Sequence, residues 1–252
     1  MSARLECPEI SLLVENACAR ITLNRPQIGN ALSPSMVDDL DRAIDNAHAA
    51  GVRLIVFEGA GKHMCTGFDL SDLDRCSDGD LLLRFVRIEH LLQKIYSSPI
   101  MTAAIGSGRV YGAGADLFAA CDRRIGLPGS SFAFPGSGFG LVLGTRRLAA
   151  RIGNDVARRL LLEGAEVSVS MAAEVGLVTD LCDQTGLQEL LGQVAAAASR
   201  LEPATVAALH AKTMSRDDDG DLAALVNSAS RPGLKARIEA YRQKALAARQ
   251  QK

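Results

Sequence analysis

The groups most able to do chemistry are concentrated in residues 105–122, IGSGRVYGAGADLFAACD. Four glycines within nine residues lead into a short apolar segment in which Asp116 is the only ionisable side chain. Glycine lets another group approach the backbone closely, and the first amides of a helix have no internal partner and carry partial positive charge. Such amides would stabilise a polarised carbonyl or an oxyanion bound at this turn.

Asp116 has two interpretations at this point. It is a candidate acid or base in an apolar wall, but Asp is also favoured in the first turn of a helix for capping and dipole reasons alone. Two other interpretations of the stretch fail. A GxGxxG dinucleotide fingerprint, which a nicotinamide dehydrogenase would need, requires glycine at Tyr111 or Leu117. No GxSxG nucleophile elbow occurs in the chain.

Strands and helices must position this loop. Residues 99–105 form an apolar run short enough to be a buried strand, so the stretch is predicted to be a strand, a glycine-rich turn and a buried helix. A predicted strand at 53–58 likewise precedes the glycine-rich residues 59–71, and a third glycine-rich segment spans 135–148. The repetition predicts an α/β fold with functional loops at the strand ends, although each turn alone could be no more than a tight connection.

The remaining pattern supplies the other elements of this fold. The predicted elements are a hairpin of 11–14 with 19–23, a helix after Ser33-Pro34 that ends at Gly51, a helix at 81–96 whose charged residues form a solvated face, strands at 121–127 and 131–134, helices at 154–162 and 170–175 with Ser170 as N-cap, an extended exit at 176–181, and helices at 203–214, 222–228 and 234–249. Residues 216–221, RDDDGD, are predicted to be an acidic loop. Because the composition changes near Gly186, we expect a core at 1–185 and a helical region at 186–252 that contributes to oligomerisation.

Composition excludes several classes of protein. The net charge is −1 with no basic block, so a nucleic-acid partner is not expected. No apolar run is long enough to span a membrane, and the first residues, MSARLECPEI, lack the apolar segment of a signal peptide. Six cysteines without a CxxC pair are expected to be reduced thiols in the cytoplasm. No metal-ligand spacing is visible among the cysteines and four histidines.

Four ordered motifs resemble one family. GKHMCTGFDL at 61–70 resembles the GxxFxAGxDL signature of the crotonase (enoyl-CoA hydratase/isomerase) superfamily, and YGAGADL at 111–117, followed by Cys121-Asp122, resembles its GGGxEL…CD signature. NRP at 24–26 with NAL at 30–32 matches the early pattern, and AAEVGLV at 172–178 resembles AxxxGLV. The similarity runs from residue 10 to residue 181 in the family's order, so the chain is identified as a member of this superfamily.

The resemblance implies a spiral of ββα units with a C-terminal helical region, assembled as a trimer or a dimer of trimers. It implies an acyl-CoA thioester as substrate and no cofactor beyond the coenzyme A that the substrate carries. Backbone amides of Phe68 and Ala113 would hold the thioester oxygen, with Asp116 as the catalytic carboxyl; Ala at 113 is comfortable only if its φ is negative. The expected substrate-binding residues are Arg25, Lys62, Phe68, Asp69, Leu70, Gly112, Ala113, Gly136 and Phe139.

Several positions depart from the family pattern. Asp116 aligns with the first of two hydratase glutamates, but Gly136 follows Pro135 where the second is expected. Losing one of two acid/base groups costs roughly 10²–10⁴-fold in rate, so efficient two-acid hydration is not expected. Ile28-Gly29 replaces the usual basic residue, the 140–148 segment is shortened, and Arg231-Pro232-Gly233 stands where DxxEG is expected.

These departures leave several hypotheses for function. The leading one is an enzyme that acts on an acyl-CoA through an enolate with Asp116 as its single acid/base, by double-bond isomerisation or slow hydration. Hydrolysis or decarboxylation of a special acyl-CoA also fits, and so does a CoA-thioester-binding protein with vestigial catalysis.

Other side chains have two interpretations each. Lys62 could meet a CoA phosphate or be merely solvated, and His63 is expected to be a surface residue. Arg146 and Arg147 could bind phosphate or pair with Asp155 or Glu163. The residues Phe68 and Phe139 could line an acyl pocket or belong to the core, and Cys65 and Cys121 are expected to be inert core thiols.

Overall fold

A computed structural model describes residues 3–6 and 8–250. Its strands are β1 (Ala3–Glu6), β2 (Ile10–Glu15), β3 (Cys18–Leu23), β4 (Leu54–Gly59), β5 (Met101–Gly106), β6 (Arg109–Tyr111), β7 (Arg123–Gly126), β8 (Ser131–Ala133), β9 (Val167–Ser168) and β10 (Asp180–Leu181). Its α-helices are α1 (Pro34–Ala49), α2 (Asp78–Tyr96), α3 (Ala113–Ala120), α4 (Thr145–Ile152), α5 (Asn154–Glu163), α6 (Val169–Glu174), α7 (Leu187–Ala198), α8 (Pro203–Thr213), α9 (Asp218–Ala229) and α10 (Leu234–Gln250). Short 3₁₀ turns lie at Pro26–Ile28, Leu73–Arg75 and Pro135–Phe139.

The strands form two sheets. The larger has the order β1-β2-β3-β4-β5-β7-β10, antiparallel as far as β3 and parallel from there on, and the smaller has the order β6-β8-β9. In the register of β4 and β5, Phe57 lies opposite Ala104. The glycine loops that follow these two strands therefore leave the sheet at the same edge, which is where α/β folds place their sites.

Local signals account for the first elements. The hairpin between β2 and β3 turns at Asn16 and Ala17, both with positive φ. Ser33 caps α1 by accepting from the amide of Met36, with Pro34 in the first turn. Both elements lie where the sequence predicted them.

The structure differs from four of the predictions for local structure: a missed strand, the start of one helix, the cap of another, and a loop that is helical. The glycine-rich stretch contains a strand, β6, that the sequence did not predict. Its partner strand β8 lies over twenty residues away, so no local pattern marks the pairing. Helix α2 begins at Asp78, three residues before the predicted start at 81, because Ser77 and Asp80 form a capping box. The cap of α6 is Ser168, whose hydroxyl accepts from Met171, and not Ser170.

The fourth concerns the predicted acidic loop at 216–221, which is largely the beginning of α9. Asp217 caps the helix, and Asp218, Asp219 and Asp221 lie in its first turn, where negative charge is favoured by the helix dipole.

The C-terminal helices pack on the core of their own chain. Helix α7 covers one face of the sheet, with Leu187 and Val194 against Ile105 and Ile125. Helices α9 and α10 pack on α2 and on the Pro135–Phe139 turn. Their predicted role in oligomerisation stays a prediction. Within the described ranges, no helix is both long and apolar enough to cross a membrane.

Candidate active site

Two glycine loops meet at the sheet edge. The amide of Tyr111 donates to the carbonyl of Cys65 at 2.9 Å, which joins the loop after β4 to β6. Gly67 has a φ of +96°, and a Cβ added there would lie 2.8 Å from the carbonyl oxygen of Tyr111 and 3.4 Å from the amide nitrogen of Ala113. Only glycine allows the two loops to approach this closely.

Two amides at this junction have no hydrogen-bond acceptor among the described residues. Leu32 bridges the first loop by donating to Gly67 and accepting from Asp69, which leaves the N–H of Phe68 between them unused. Ala113 is the first residue of α3, so its N–H has no partner within the helix. The φ of Ala113 is negative, as the sequence analysis required.

Asp116 lies in the first turn of α3, as predicted, and is 6% exposed. No described residue donates a hydrogen bond to its carboxylate. A Cβ added at Gly144 would lie 2.1 Å from its Oδ1 atom, so the backbone before α4 packs directly against the carboxyl. Burial raises the pKa of Asp116 well above its usual value; the charge of Arg147 opposes this and that of Glu89 adds to it.

A buried ion-pair network supplies these two charges. Arg147 and Glu89 are each 1% exposed, and Nη2 of Arg147 donates to Oε2 of Glu89 at 2.5 Å. The other terminal nitrogen of Arg147 donates to Asp221 at 3.2 Å, and Arg146 holds both oxygens of Asp221. Gln93 donates to Oε1 of Glu89 at 2.9 Å.

This network corrects two predictions. Arg146 and Arg147 pair with neither Asp155 nor Glu163, because α4 turns both guanidinium groups toward α9 and α2. Buried as it is, Arg147 cannot meet a phosphate from solvent. The charged residues of α2 do not all form a solvated face either, since Arg84 and Glu89 are buried.

Sequence reasoning missed Glu89 as a site residue. It lies one helical turn from Phe85 and three residues from Leu92, both buried, so the 3.6-residue period places it on the apolar face of α2. A carboxyl on an apolar face was the available signal. Gly144 was missed as well, and nothing local distinguishes it from the other glycines of its segment.

Aromatic side chains cover the apolar side of the junction. Phe68 stacks on Phe85 with 4.3 Å between ring centroids. The guanidinium carbon of Arg84 lies over the same Phe68 ring, 4.2 Å from its centroid. Phe139 contacts Tyr241 of α10 at 5.4 Å between centroids. Leu70 packs in the same cluster, which α9 and α10 help to bury. These rings thus belong to an apolar wall shared with the C-terminal helices.

Arg25 and Asp69 bind each other. Nη1 of Arg25 donates to Asp69 at 2.7 Å and to the carbonyl of Ala31 at 2.9 Å, and its Nε lies 3.1 Å from Glu9. Burial raises the pKa of Asp69, but the hydrogen bonds from Ser71 and Arg25 outweigh it and bring the pKa below its usual value. The pair braces the loop that carries Phe68, and direct substrate contact by either residue stays a prediction.

Gly136 follows Pro135 in the third glycine-rich segment, and Lys62 lies in the loop after β4. A Cβ added at Gly112 would lie 3.7 Å from Pro135, so Gly136 is close to the start of α3. A Cβ at Gly136 would meet only Leu141, at 3.8 Å, which leaves room for a side chain. Lys62 lines an open polar cleft of about 400 Å³.

The same cleft holds His63, whose Nδ1 accepts from the amide of Arg109 at 3.0 Å. Burial, helped by the charges of Arg109 and Lys62, lowers the pKa of His63.

The five cysteines among the described residues form no disulfide. Cys65 and Cys121 are fully buried, and burial raises the pKa of Cys65 to about 12 and that of Cys121 further. Both are inert at neutral pH, as expected. Cys7 lies outside the described residues. The residues from 3 to 6 and 8 to 250 contain no group of three or more His, Cys, Asp or Glu placed to hold a metal ion.

The spiral of strand–helix units and the paired glycine loops define a crotonase-type α/β protein. A model of the family "Enoyl-CoA hydratase/isomerase" matches residues 14–230. The chain therefore belongs to the enoyl-CoA hydratase/isomerase family, whose members are enzymes.

Individual relatives agree with this assignment. The chain is 45% identical to a protein from Bordetella parapertussis whose crystal structure is titled "putative enoyl-CoA hydratase/isomerase", with a TM-score of 0.90 over 92% of this chain and 98% of that one. It is 33% identical over 214 residues to a "Probable enoyl-CoA hydratase" of Mycobacterium bovis, covering 83% of each. It is 31% identical over 193 residues to a "Putative enoyl-CoA hydratase/isomerase" of Bacillus subtilis, covering 75% and 74%.

Proposed function

We propose that the protein transforms an acyl-CoA thioester through an enolate, with the amides of Phe68 and Ala113 as the oxyanion hole and Asp116 as the single acid/base. The observation that carries this proposal is the pair of unused N–H groups on adjoining loops, with a buried carboxyl in the same turn of α3. Aligned donors that need no reorganisation stabilise an enolate oxygen more strongly than water does.

Double-bond isomerisation suits this site best. The carboxylate of Asp116 takes a proton from the α-carbon, the electron pair moves onto the thioester oxygen, and the same carboxyl returns the proton at the γ-carbon. One group serves both steps, and a pKa raised toward the working pH favours both transfers. Hydration needs a second group to activate water, and the position expected for it holds Gly136.

The rest of the substrate would follow the wall and the loops. We place the acyl chain against Phe68, Leu70 and Phe139, which share one apolar cluster. Gly112 shapes the turn before the second amide, and the exposed Lys62 is the candidate contact for a CoA phosphate. The enzyme would work in the cytoplasm as a homotrimer or hexamer, without a separate cofactor.

Replacing Ala113 by proline tests the oxyanion hole. Proline is favoured at the first position of a helix, so Ala113→Pro removes one N–H and keeps α3. Loss of one such donor costs about 10²–10³-fold in kcat. Turnover would be measured on a panel of 2-enoyl- and 3-enoyl-CoA thioesters, by following both isomerisation and hydration. Ala113→Gly retains the N–H and is the matched control.

The turnover of the two variants distinguishes support for the oxyanion hole from its contradiction. Turnover that survives in Ala113→Gly and falls in Ala113→Pro supports the proposal, provided that both variants melt near the wild-type temperature. Unchanged turnover in Ala113→Pro would contradict it.

The second candidate, a CoA-thioester-binding protein with vestigial catalysis, is favoured by Gly136 and by the shorter carboxylate at 116. Calorimetric binding of acyl-CoA by wild-type protein, with no product from any thioester of the panel, would establish it instead.

A further inference from the structure

Helix α8 is joined to the rest of the chain by few buried side chains. All of α8 lies within the described residues, and Val206 is the one residue of the helix that is buried. Arg53 donates to Glu202, just before α8, at 2.8 Å, but the side chain of Glu202 is 76% exposed, and exposed ion pairs contribute little. Of the two ionisable residues of α8, Lys212 is exposed, whereas His210 in the last turn contacts the core.

The imidazole of His210 lies between two groups that can only accept a hydrogen bond. Its Nδ1 is 2.9 Å from the carbonyl oxygen of Ser98, and its Nε2 is 3.3 Å from Oδ1 of Asp122. A carbonyl has no proton to give, so Nδ1 must carry the single proton of a neutral ring. The lone pair of Nε2 would then face the carboxylate of Asp122, which repels it. Only the doubly protonated imidazolium is attracted to both groups.

Asp122 is held as a carboxylate beside this ring. Its Oδ2 accepts from the amide of Thr102 at 2.9 Å and from the hydroxyl of the same residue at 3.0 Å. Burial raises the pKa of Asp122, but the bonds from His210 and Thr102 outweigh it and bring the pKa below its usual value. The neighbouring thiol of Cys121 adds no charge, because burial raises its pKa.

Charged and titratable groups of three further elements lie near the pair. Arg151 of α4 opposes the protonation of His210 through its charge. Arg124 of β7 donates to the carbonyl of Asp122 at 3.0 Å. His48 of α1 lies on the other side of Ser98, 3.2 Å from its hydroxyl, and burial lowers the pKa of His48. The hydrogen bond to Asp122 outweighs burial and the charge of Arg151, so the pKa of His210 is raised.

We propose that His210 is a pH-dependent latch, which in its doubly protonated form holds α8 against Ser98 and Asp122 and releases the helix when it loses a proton. The latch lies beyond the C-terminal end of α3, whereas Asp116 lies in the first turn of that helix, so the inference does not rest on the proposed function. Because the pKa of His210 in the folded protein lies above its usual value of 6.5, the attraction is fully present below 6.5. It is lost as the pH rises through the raised value.

Amide hydrogen exchange of α8, followed by mass spectrometry, tests the latch without any substrate. Protection factors, which correct for the intrinsic effect of pH on exchange, would be compared from about pH 6 to about pH 9. In the wild type, the protection of α8 should fall about tenfold over this range relative to α7. Helix α7 is the internal reference, because its anchors Leu187 and Val194 are apolar and do not titrate.

Asp122→Asn should remove the pH dependence and keep α8 in place. The amide oxygen of the asparagine can accept from Thr102, and its NH₂ group can donate to Nε2 of a neutral His210. His210→Gln should leave α8 less protected in acid and insensitive to pH. His90→Gln, a change of an exposed histidine on α2, is the matched control and should keep the wild-type profile.

Protection of α8 that does not change with pH in the wild type would overturn the inference, and so would an unaltered pH dependence in His210→Gln. If Asp122→Asn fails to fold, a ¹⁵N nuclear magnetic resonance titration of the wild type decides in its place. Both ring nitrogens of His210 should be protonated at pH 6, and the ring should titrate at a higher pH than that of His90. A titration midpoint at or below that of His90 would refute the latch.

Discussion

Two buried aspartates lie in the two glycine loops, and their surroundings are opposite. Asp69 is the residue after Phe68 and is 4% exposed. Asp116 lies three residues after Ala113 and is 6% exposed. Asp69 accepts from Arg25 and from the amide of Ser71, whereas no described residue donates to Asp116. The pKa of the first is lowered by its donors and that of the second is raised by burial.

The difference shows what separates a structural carboxylate from a candidate catalytic one. Asp69 keeps its negative charge in the fold because its donors replace the lost water. At Asp116 burial leaves the charged form without donors, so the pKa of this carboxyl is raised. The donors around Asp69 therefore hold its pKa down, whereas burial without donors raises the pKa of Asp116.

The largest expected effect on the contrast between the two aspartates is the loss of turnover in Asp116→Asn. The amide has the shape of the carboxyl but cannot take up a proton, so turnover on the best thioester of the panel should fall by about 10²–10⁴-fold. Asp219→Asn, an exposed change of the same kind, should leave kcat/KM unchanged. Full activity in Asp116→Asn would remove the acid/base role of this residue.

Most of this arrangement could be predicted from sequence because its signals are local. Short patterns of backbone geometry fix three features of the site: the glycines around 67 and 112, the residue that follows each turn, and the first-turn position of Asp116. Because the four motifs occur in the order of the family pattern, the sequence also predicted that both loops contribute to one site.

The charged partners could not be predicted in the same way. Glu89 meets Arg147, 58 residues later, and Arg147 meets Asp221, a further 74 residues on. Helical period marks Glu89 as buried, but only the packing of α2, α4 and α9 shows which charge neutralises it. Strand β6 was missed for a similar reason, since its partner strand is distant in sequence.

Asp69→Asn should have the second-largest effect, on stability. It removes the charge that Arg25 and Ser71 bind, and hydrogen bonds to charged groups contribute about 1.5–3 kcal/mol each. We expect the free energy of unfolding at neutral pH, measured by urea denaturation, to fall by about that amount. Because the pKa of Asp69 is lowered in the folded state, its contribution is lost as the pH falls through that value. The variant should therefore approach the wild type in acid; a deficit that persists there would indicate lost packing instead of lost charge.

The smallest effect should be the opposite pH dependence at Asp116. A folded-state pKa above the unfolded value of about 3.9 means that the native protein binds this proton more tightly, so the contribution of Asp116 is present in acid and lost as the pH rises through the folded-state pKa. Asparagine needs no proton, and Asp116→Asn should therefore gain about 1 kcal/mol over the wild type at alkaline pH, the order of the cost of an unsatisfied buried group. Urea denaturation of both proteins from acid to alkaline pH measures this difference. A gain that does not grow with pH would mean that Asp116 is ionised in the folded protein throughout, as Asp69 is, and the contrast between the two loops would disappear.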